Sequence, residues 1–152
     1  KIYAVELSPE RQAKAEELGA IVVRPEEGET VVEAIHRLTG GGADVSYEVT
    51  GVPVVLGHAL AAVHKAGECM VVSIWEREAS INPNEFAIQE KSLKGIIAYR
   101  HIFPKVLELM EQGYFPADKL VTKKIKLENI VEEGFVELTQ DKSQIKILVE
   151  PE

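Results

Sequence analysis

An acidic residue that ends a strand and runs straight into a helix is the first arrangement in this chain that could do chemistry. In "KIYAVELSPERQAKAEELGA" the strand-like run 1–5 ends on Glu6, and Ser8 and Pro9 then open a helix. At the carboxyl end of the second strand of a dinucleotide-binding fold, such a carboxylate accepts hydrogen bonds from the adenosine ribose hydroxyls. Its charge also repels a 2′-phosphate, so it favours NAD over NADP. A solvated Glu that suits the positive end of a helix dipole is the alternative, and from Glu6 alone the two readings weigh equally. Arg11, one turn into the helix, either reaches the same ribose or is simply solvated. The Gly-rich turn that cradles a pyrophosphate in this arrangement belongs about 20 residues before the acid, which places it ahead of residue 1.

Two further stretches carry candidates. In "GGGADVSYEVTG", Gly40, Gly41 and Gly42 turn the chain into a strand, and Gly51 lets it bend sharply where that strand ends. Ligands of open parallel sheets bind at the carboxyl ends of strands, so Thr50 and Gly51 are placed to line a crevice. A tight turn that needs glycine for its backbone angles is the plainer reading. In "MVVSIW", Ser73 and Ile74 end the next strand at the same sheet edge, and "WEREAS" follows as a loop over the crevice or as an ordinary connection.

Other chemistries find little footing. His36, His58, His64 and His101 are scattered, and with Cys69 as the one cysteine they form no zinc-ligand pattern. His58 and His64 lie six apart on one predicted helix, too far round it to chelate together. Cys69 has no His or acid at suggestive spacing, so a reduced thiol in a cytoplasmic protein is its default reading. No nucleophile elbow, phosphate-binding P-loop or zinc-protease motif occurs.

These candidates must be held by elements, and hydrophobic periodicity supplies an alternation of strand and helix over the first hundred residues or so. Strands are expected at 1–5, 20–23, 43–49, 68–74 and 93–99. Helices are expected at 9–18, with Ala13, Ala15 and Leu18 toward one side, at 30–40, with Val31, Val32, Ile35 and Leu38 at helical spacing, at 52–64 and near 84–90. The run 68–74 is nearly all apolar, as a strand buried on both faces should be. Strands separated by helices imply a mostly parallel sheet. The last fifty or so residues change rhythm, with a helix at 103–113, a strand at 122–127, a helix at 128–140 and a strand at 144–150.

Bulk properties agree with one globular α/β domain. The chain has 152 residues, 45% of them hydrophobic, and a net charge of −8. That charge argues against nucleic-acid partners, which need clustered Lys and Arg to displace counterions. The nearest basic cluster, "TKKIKL", reads as a solvated strand face. No apolar run is long enough for a membrane helix.

Taken in order, "IYAVELSPERQAKAEELGA", "GGGADVSYEVTG", "GECMVVSIW", "SLKGIIAYRHIFPKVLELMEQG", "ADKLVTKKIKLENIVEEGFVEL" and "KILVEP" resemble, end to end, the coenzyme-binding and carboxyl-terminal portions of zinc-dependent medium-chain alcohol dehydrogenases. Within that family the resemblance is nearest to the bacterial 2,3-butanediol dehydrogenase group, and its most specific pieces are "YEVTG" and "ADKLVTKKIKL".

The resemblance implies a Rossmann-like parallel sheet that lacks its first strand and Gly-rich turn, followed by a small α/β carboxyl-terminal segment. Residues 1–98 would be a partial NAD-binding domain, and 99–152 the segment that packs with the catalytic domain in relatives. It implies that Glu6 binds the ribose and Arg11 leans on it, and that Thr50, Gly51 and Val52 line the adenine side. Val72, Ser73 and Ile74 would contact the nicotinamide half, with Ile96, Ile97 and Ala98 offering backbone to the carboxamide. Hydride would pass from a secondary alcohol or vicinal diol such as 2,3-butanediol to NAD, with zinc polarising the alcohol oxygen.

In this family the zinc ligands, the proton relay, the first strand and its Gly-rich turn all precede the point matched by residue 1. The chain is therefore expected to be a fragment, inactive alone, with weak or no NAD binding and no zinc ligands of its own. The gap at the first strand would be filled by another chain, or the flanking strands would re-pair directly. Homo-oligomers would form through the edge strand Leu93 to Tyr99. Two other readings stand: a methyltransferase-like domain that holds S-adenosylmethionine through the same acid, and a non-catalytic assembly module.

Overall fold

The computed structural model describes residues 1–141 and 143–151. They pack as two compact units, one made of residues 1–22 with 99–152 and the other of residues 23–98. The strands form three separate parallel sheets, of which the first and third lie in the former unit and the second in the latter.

The 23–98 unit alternates helix and strand. Helix α2 (Val31–Thr39) begins at Thr30 with a reciprocal cap: the Thr30 hydroxyl accepts from Glu33 N, and the Glu33 carboxylate accepts from Thr30 N. It stops at Gly40 in the left-handed conformation, φ 79°. Strand β3 (Ala43–Glu48) follows, then α3 (Pro53–Ala62), β4 (Val63–Val71), the short α4 (Asn84–Ala87) and β5 (Ser92–Gly95). The sheet order is β3-β4-β5, with Ser46 opposite Cys69 and Cys69 opposite Leu93.

The core of this unit is Leu56 and Leu60 from α3 and Cys69 from β4, with Val71, Trp75, Ala79, Ile81, Phe86 and Leu93 packed around them. Trp75, Ala79 and Ile81 belong to the segment after β4, so apolar contacts anchor that segment on the core. The carboxyl end of α3 is tied down by two side chains. Lys91 Nζ donates to Leu60 O at 2.9 Å, and His36 Nε2 lies 2.9 Å from Ala61 O.

In the other unit, β1 (Tyr3–Ala4) pairs with β2 (Ile21–Val22) across α1 (Pro9–Glu17). The carboxyl-terminal part runs α5 (Phe103–Glu111), α6 (Ala117–Leu120), β6 (Val121–Lys126), a helical segment ending in α7 (Glu137–Gln140), and β7 (Lys146–Glu150). Strand β6 pairs with β7, and Ile125 is the residue it buries. Lys124 and Lys126 point to solvent, as the alternation of "TKKIKL" predicts.

Four expectations need adjusting. The strand expected at 68–74 starts at Val63, directly at the end of α3, because Val63 is fully packed; its register with β3 then shifts before Glu68. The strand expected at 93–99 ends at Gly95, and Ala98 has φ 49°, which no strand accommodates. The helix expected at 128–140 is three windings in series. A 3₁₀ turn over Leu127–Asn129 leads into a wider π-helical stretch over Ile130–Val136, then into α7. Direct re-pairing of the strands flanking the gap is not found among the described residues, since β1–β2 and β3–β5 are distinct sheets.

Candidate functional site

The candidate residues fall in both units, and each group is built within its own. In the 23–98 unit they gather at the carboxyl ends of β3, β4 and β5. The backbone aligns these ends: Val72 N donates to Glu48 O at 2.9 Å, and Ile96 N donates to Val71 O at 3.1 Å.

The organising group is Glu48, which sequence reasoning passed over. Glu48 is 1% exposed, the most deeply buried charged residue among those described. Oε1 accepts from Thr50 N at 2.7 Å, from the Thr50 hydroxyl at 2.7 Å and from Gly51 N at 2.9 Å. Oε2 accepts from the Ser73 hydroxyl, which crosses from the end of β4. The Thr50 oxygen in turn accepts from Val52 N at 3.2 Å, at the start of α3. Burial pushes the Glu48 pKa up, but the hydrogen bonds from Ser73, Thr50 and Gly51 outweigh it and hold the carboxyl below its ordinary value. The signal available in the sequence was an acid inside the otherwise apolar end of "ADVSYEV", immediately before Thr-Gly turn chemistry.

Gly51 is required twice over. Its φ is 69°, and a Cβ there would stand 2.9 Å from the Ile74 carbonyl oxygen. The turn after β3 thus packs directly against the end of β4. Beyond this tie the strand ends are apolar and open: Ile74 and Ile97 are 87% and 81% exposed, and Val52, Val72 and Ile96 are also exposed. Ala98 holds a left-handed backbone, φ 49°, without being glycine, a conformation that costs energy.

In the other unit Glu6 follows β1. Its Oε1 accepts from Leu7 N at 2.7 Å and Ser8 N at 2.9 Å, and its backbone oxygen accepts from the Gln12 side chain. Oε2 has no partner among the described residues. Arg11 follows the cap, its N donating to Ser8 Oγ at 3.4 Å. Its residue lines a shallow depression of about 350 Å³ with Lys14, Ala15, Leu18, Leu120, Gln144 and Ile145.

No three His, Cys, Asp or Glu side chains gather as metal ligands among the described residues. Cys69 is buried, and burial raises its thiol pKa, so it is a core group and not a nucleophile. No helix among the described residues is long and apolar enough to cross a membrane.

Residues 1–112 match the model of the zinc-binding dehydrogenase family. The chain belongs to that family. Over 150 residues, 99% of its length, this dehydrogenase chain is 62% identical to the (R,R)-butanediol dehydrogenase of Bacillus subtilis, and it spans 43% of that protein. It is 36% identical to the (R,R)-butanediol dehydrogenase of Neisseria gonorrhoeae, again over 99% of the chain and 44% of the relative. The crystal structure of 2R,3R-butanediol dehydrogenase from Bacillus subtilis superposes with a TM-score of 0.93, covering 99% of this chain and 44% of that one. The chain thus spans less than half the length of the relatives it matches.

Proposed function

We propose that this zinc-binding dehydrogenase chain is the coenzyme-holding part of an enzyme that oxidises a secondary alcohol or vicinal diol, such as 2,3-butanediol, with NAD. The observation that carries the reading is the built set of strand ends: Thr50, Gly51 and Ser73 fixed on Glu48, with open apolar surface beside them. An apolar surface with few, fixed polar groups suits a flat nucleotide ring. NAD, when bound, supplies the hydride acceptor.

The chain's own residues bind and orient. Glu6, with Oε2 open and Oε1 already braced by two backbone donors, accepts from the ribose hydroxyls, and Arg11 adds a positive charge on the following helix. Thr50, Gly51 and Val52 form one wall, and Val72, Ser73 and Ile74 another. Ile96, Ile97 and Ala98 offer backbone groups to the carboxamide.

In domain terms we assign 1–98 to NAD binding and 99–152 to packing with the alcohol-binding part. Among the described residues no three His, Cys, Asp or Glu side chains gather to suit a zinc ion, and we place zinc ligation outside this chain. The buried free thiol of Cys69 suits a cytoplasmic setting. Copies would associate through the outer edge of β5, which ends its sheet.

The test is oxidation of (R,R)-2,3-butanediol with NAD by the whole protein that carries this chain, followed by absorbance of the reduced cofactor. Turnover with NAD and little with NADP is expected. Failure to turn over with any secondary alcohol or diol, together with binding of S-adenosylmethionine, would overturn the reading in favour of a methyltransferase-like domain.

A further inference from the structure

We infer that Glu48 is a positioning residue for the coenzyme: one buried carboxylate holds two walls of the proposed site in register. This inference rests on the NAD reading given above and adds to it a group that touches no ligand.

The turn after β3 and the end of β4 are 25 residues apart in sequence where Glu48 meets Ser73. Backbone pairing alone stops at the bond from Val72 N to Glu48 O. Past that point Thr50, Gly51, Ser73 and Ile74 would each be free to choose a conformation. Glu48 removes that freedom on both sides. Oε1 fixes the N–H groups of Thr50 and Gly51 and the Thr50 hydroxyl, and Oε2 fixes the Ser73 hydroxyl. Every one of these bonds is made to an ionised acceptor at a buried position, where such bonds are strong and a missing partner is costly.

Apolar core packing in this unit is carried by Leu56, Leu60 and Cys69. Glu48 stabilises the fold through its hydrogen bonds instead, and the groups it fixes are the side-chain and backbone groups a ligand would meet. A site held by such a supporting group binds without first having to order its walls.

The predicted consequence is coupling. Ser73 and the Thr50–Gly51 turn act through the same carboxylate, so their contributions to coenzyme binding should not add. The experiment is titration of the whole protein with NAD, for the unsubstituted protein, Glu48→Ala, Glu48→Gln, Ser73→Ala and the double variant Glu48→Ala with Ser73→Ala. Thermal melting without ligand accompanies each titration.

Glu48→Ala should weaken NAD binding by about tenfold, the scale of coupling between neighbouring groups in one network. Glu48→Gln keeps the shape and one acceptor oxygen, so it should recover most of that loss. Ser73→Ala should weaken binding in the unsubstituted background and add almost nothing on top of Glu48→Ala. Equal NAD affinity for Glu48→Ala and the unsubstituted protein, or additive effects of the Glu48 and Ser73 changes, would overturn the inference. So would a Glu48→Gln variant that melts like the unsubstituted protein yet binds as poorly as Glu48→Ala. A failed NAD reading is distinguishable, because the unsubstituted protein itself would then not bind NAD.

Discussion

Glu48 joins its donors only in the folded chain, so its ionisation is linked to folding. Its folded pKa lies below the ordinary carboxyl value, which means the folded state binds its proton later than the unfolded state as acid is added. The stabilisation is therefore fully present above the unfolded value of about 4.3 and is lost as pH falls through the lower folded value. Urea midpoints measured from neutral pH down through that window should fall more steeply for the unsubstituted protein than for Glu48→Gln. Parallel acid limbs for the two proteins would show that the carboxylate is not the group responsible. Gly51 offers a second test at this scale. Gly51→Ala forces a side chain into a left-handed backbone with the Ile74 oxygen 2.9 Å from its Cβ, and should cost about 1–3 kcal/mol in denaturant unfolding. Gly51 could be singled out from the sequence because a glycine after a strand announces a turn. Glu48 could not, since nothing in a single acid within a strand reveals that its donors arrive from Thr50, Gly51 and, 25 residues away, Ser73.

Helix α3 supplies two of the three buried residues of the core cluster in the 23–98 unit, Leu56 and Leu60, set one turn apart. Leu60→Ala leaves a cavity under Cys69 and should lower stability by about 2–5 kcal/mol, read as a drop in urea midpoint with an unchanged slope. The alternation of strand and helix was legible because period-two and period-3.6 patterns are set locally. The first helix also announced itself through Ser8 and Pro9. What local pattern could not give was where elements meet. The end of α3 and the start of β4 coincide at Val63 because burial of that β-branched side chain overrides helix continuation. The segment at 128–140 has helical periodicity throughout, yet it widens over Ile130–Val136, where Gly134 is buried and a Cβ would come within 3.3 Å of Ile125 Cδ1. Gly134→Ala should therefore gain less stability than glycine-to-alanine changes at exposed helix positions, and far-UV circular dichroism with urea would register the difference.

On the scale of the whole molecule, the chain is a member of the zinc-binding dehydrogenase family, and its described residues hold no cluster of metal ligands. Family membership was readable from the order of motifs along the chain. The division into units 1–22 with 99–152 and 23–98 was not, because it depends on contacts between segments far apart in sequence. We propose that this chain holds NAD and that Glu6 selects it by its ribose. The most direct measurement is a pair of dissociation constants, for NAD and for NADP, on the whole protein and on its Glu6→Ala variant. Tighter binding of NAD than of NADP is expected, with a preference reduced by about tenfold or more once the carboxylate that repels a 2′-phosphate is removed. Equal affinity for the two coenzymes in the unsubstituted protein, or a preference that survives Glu6→Ala intact, would contradict it.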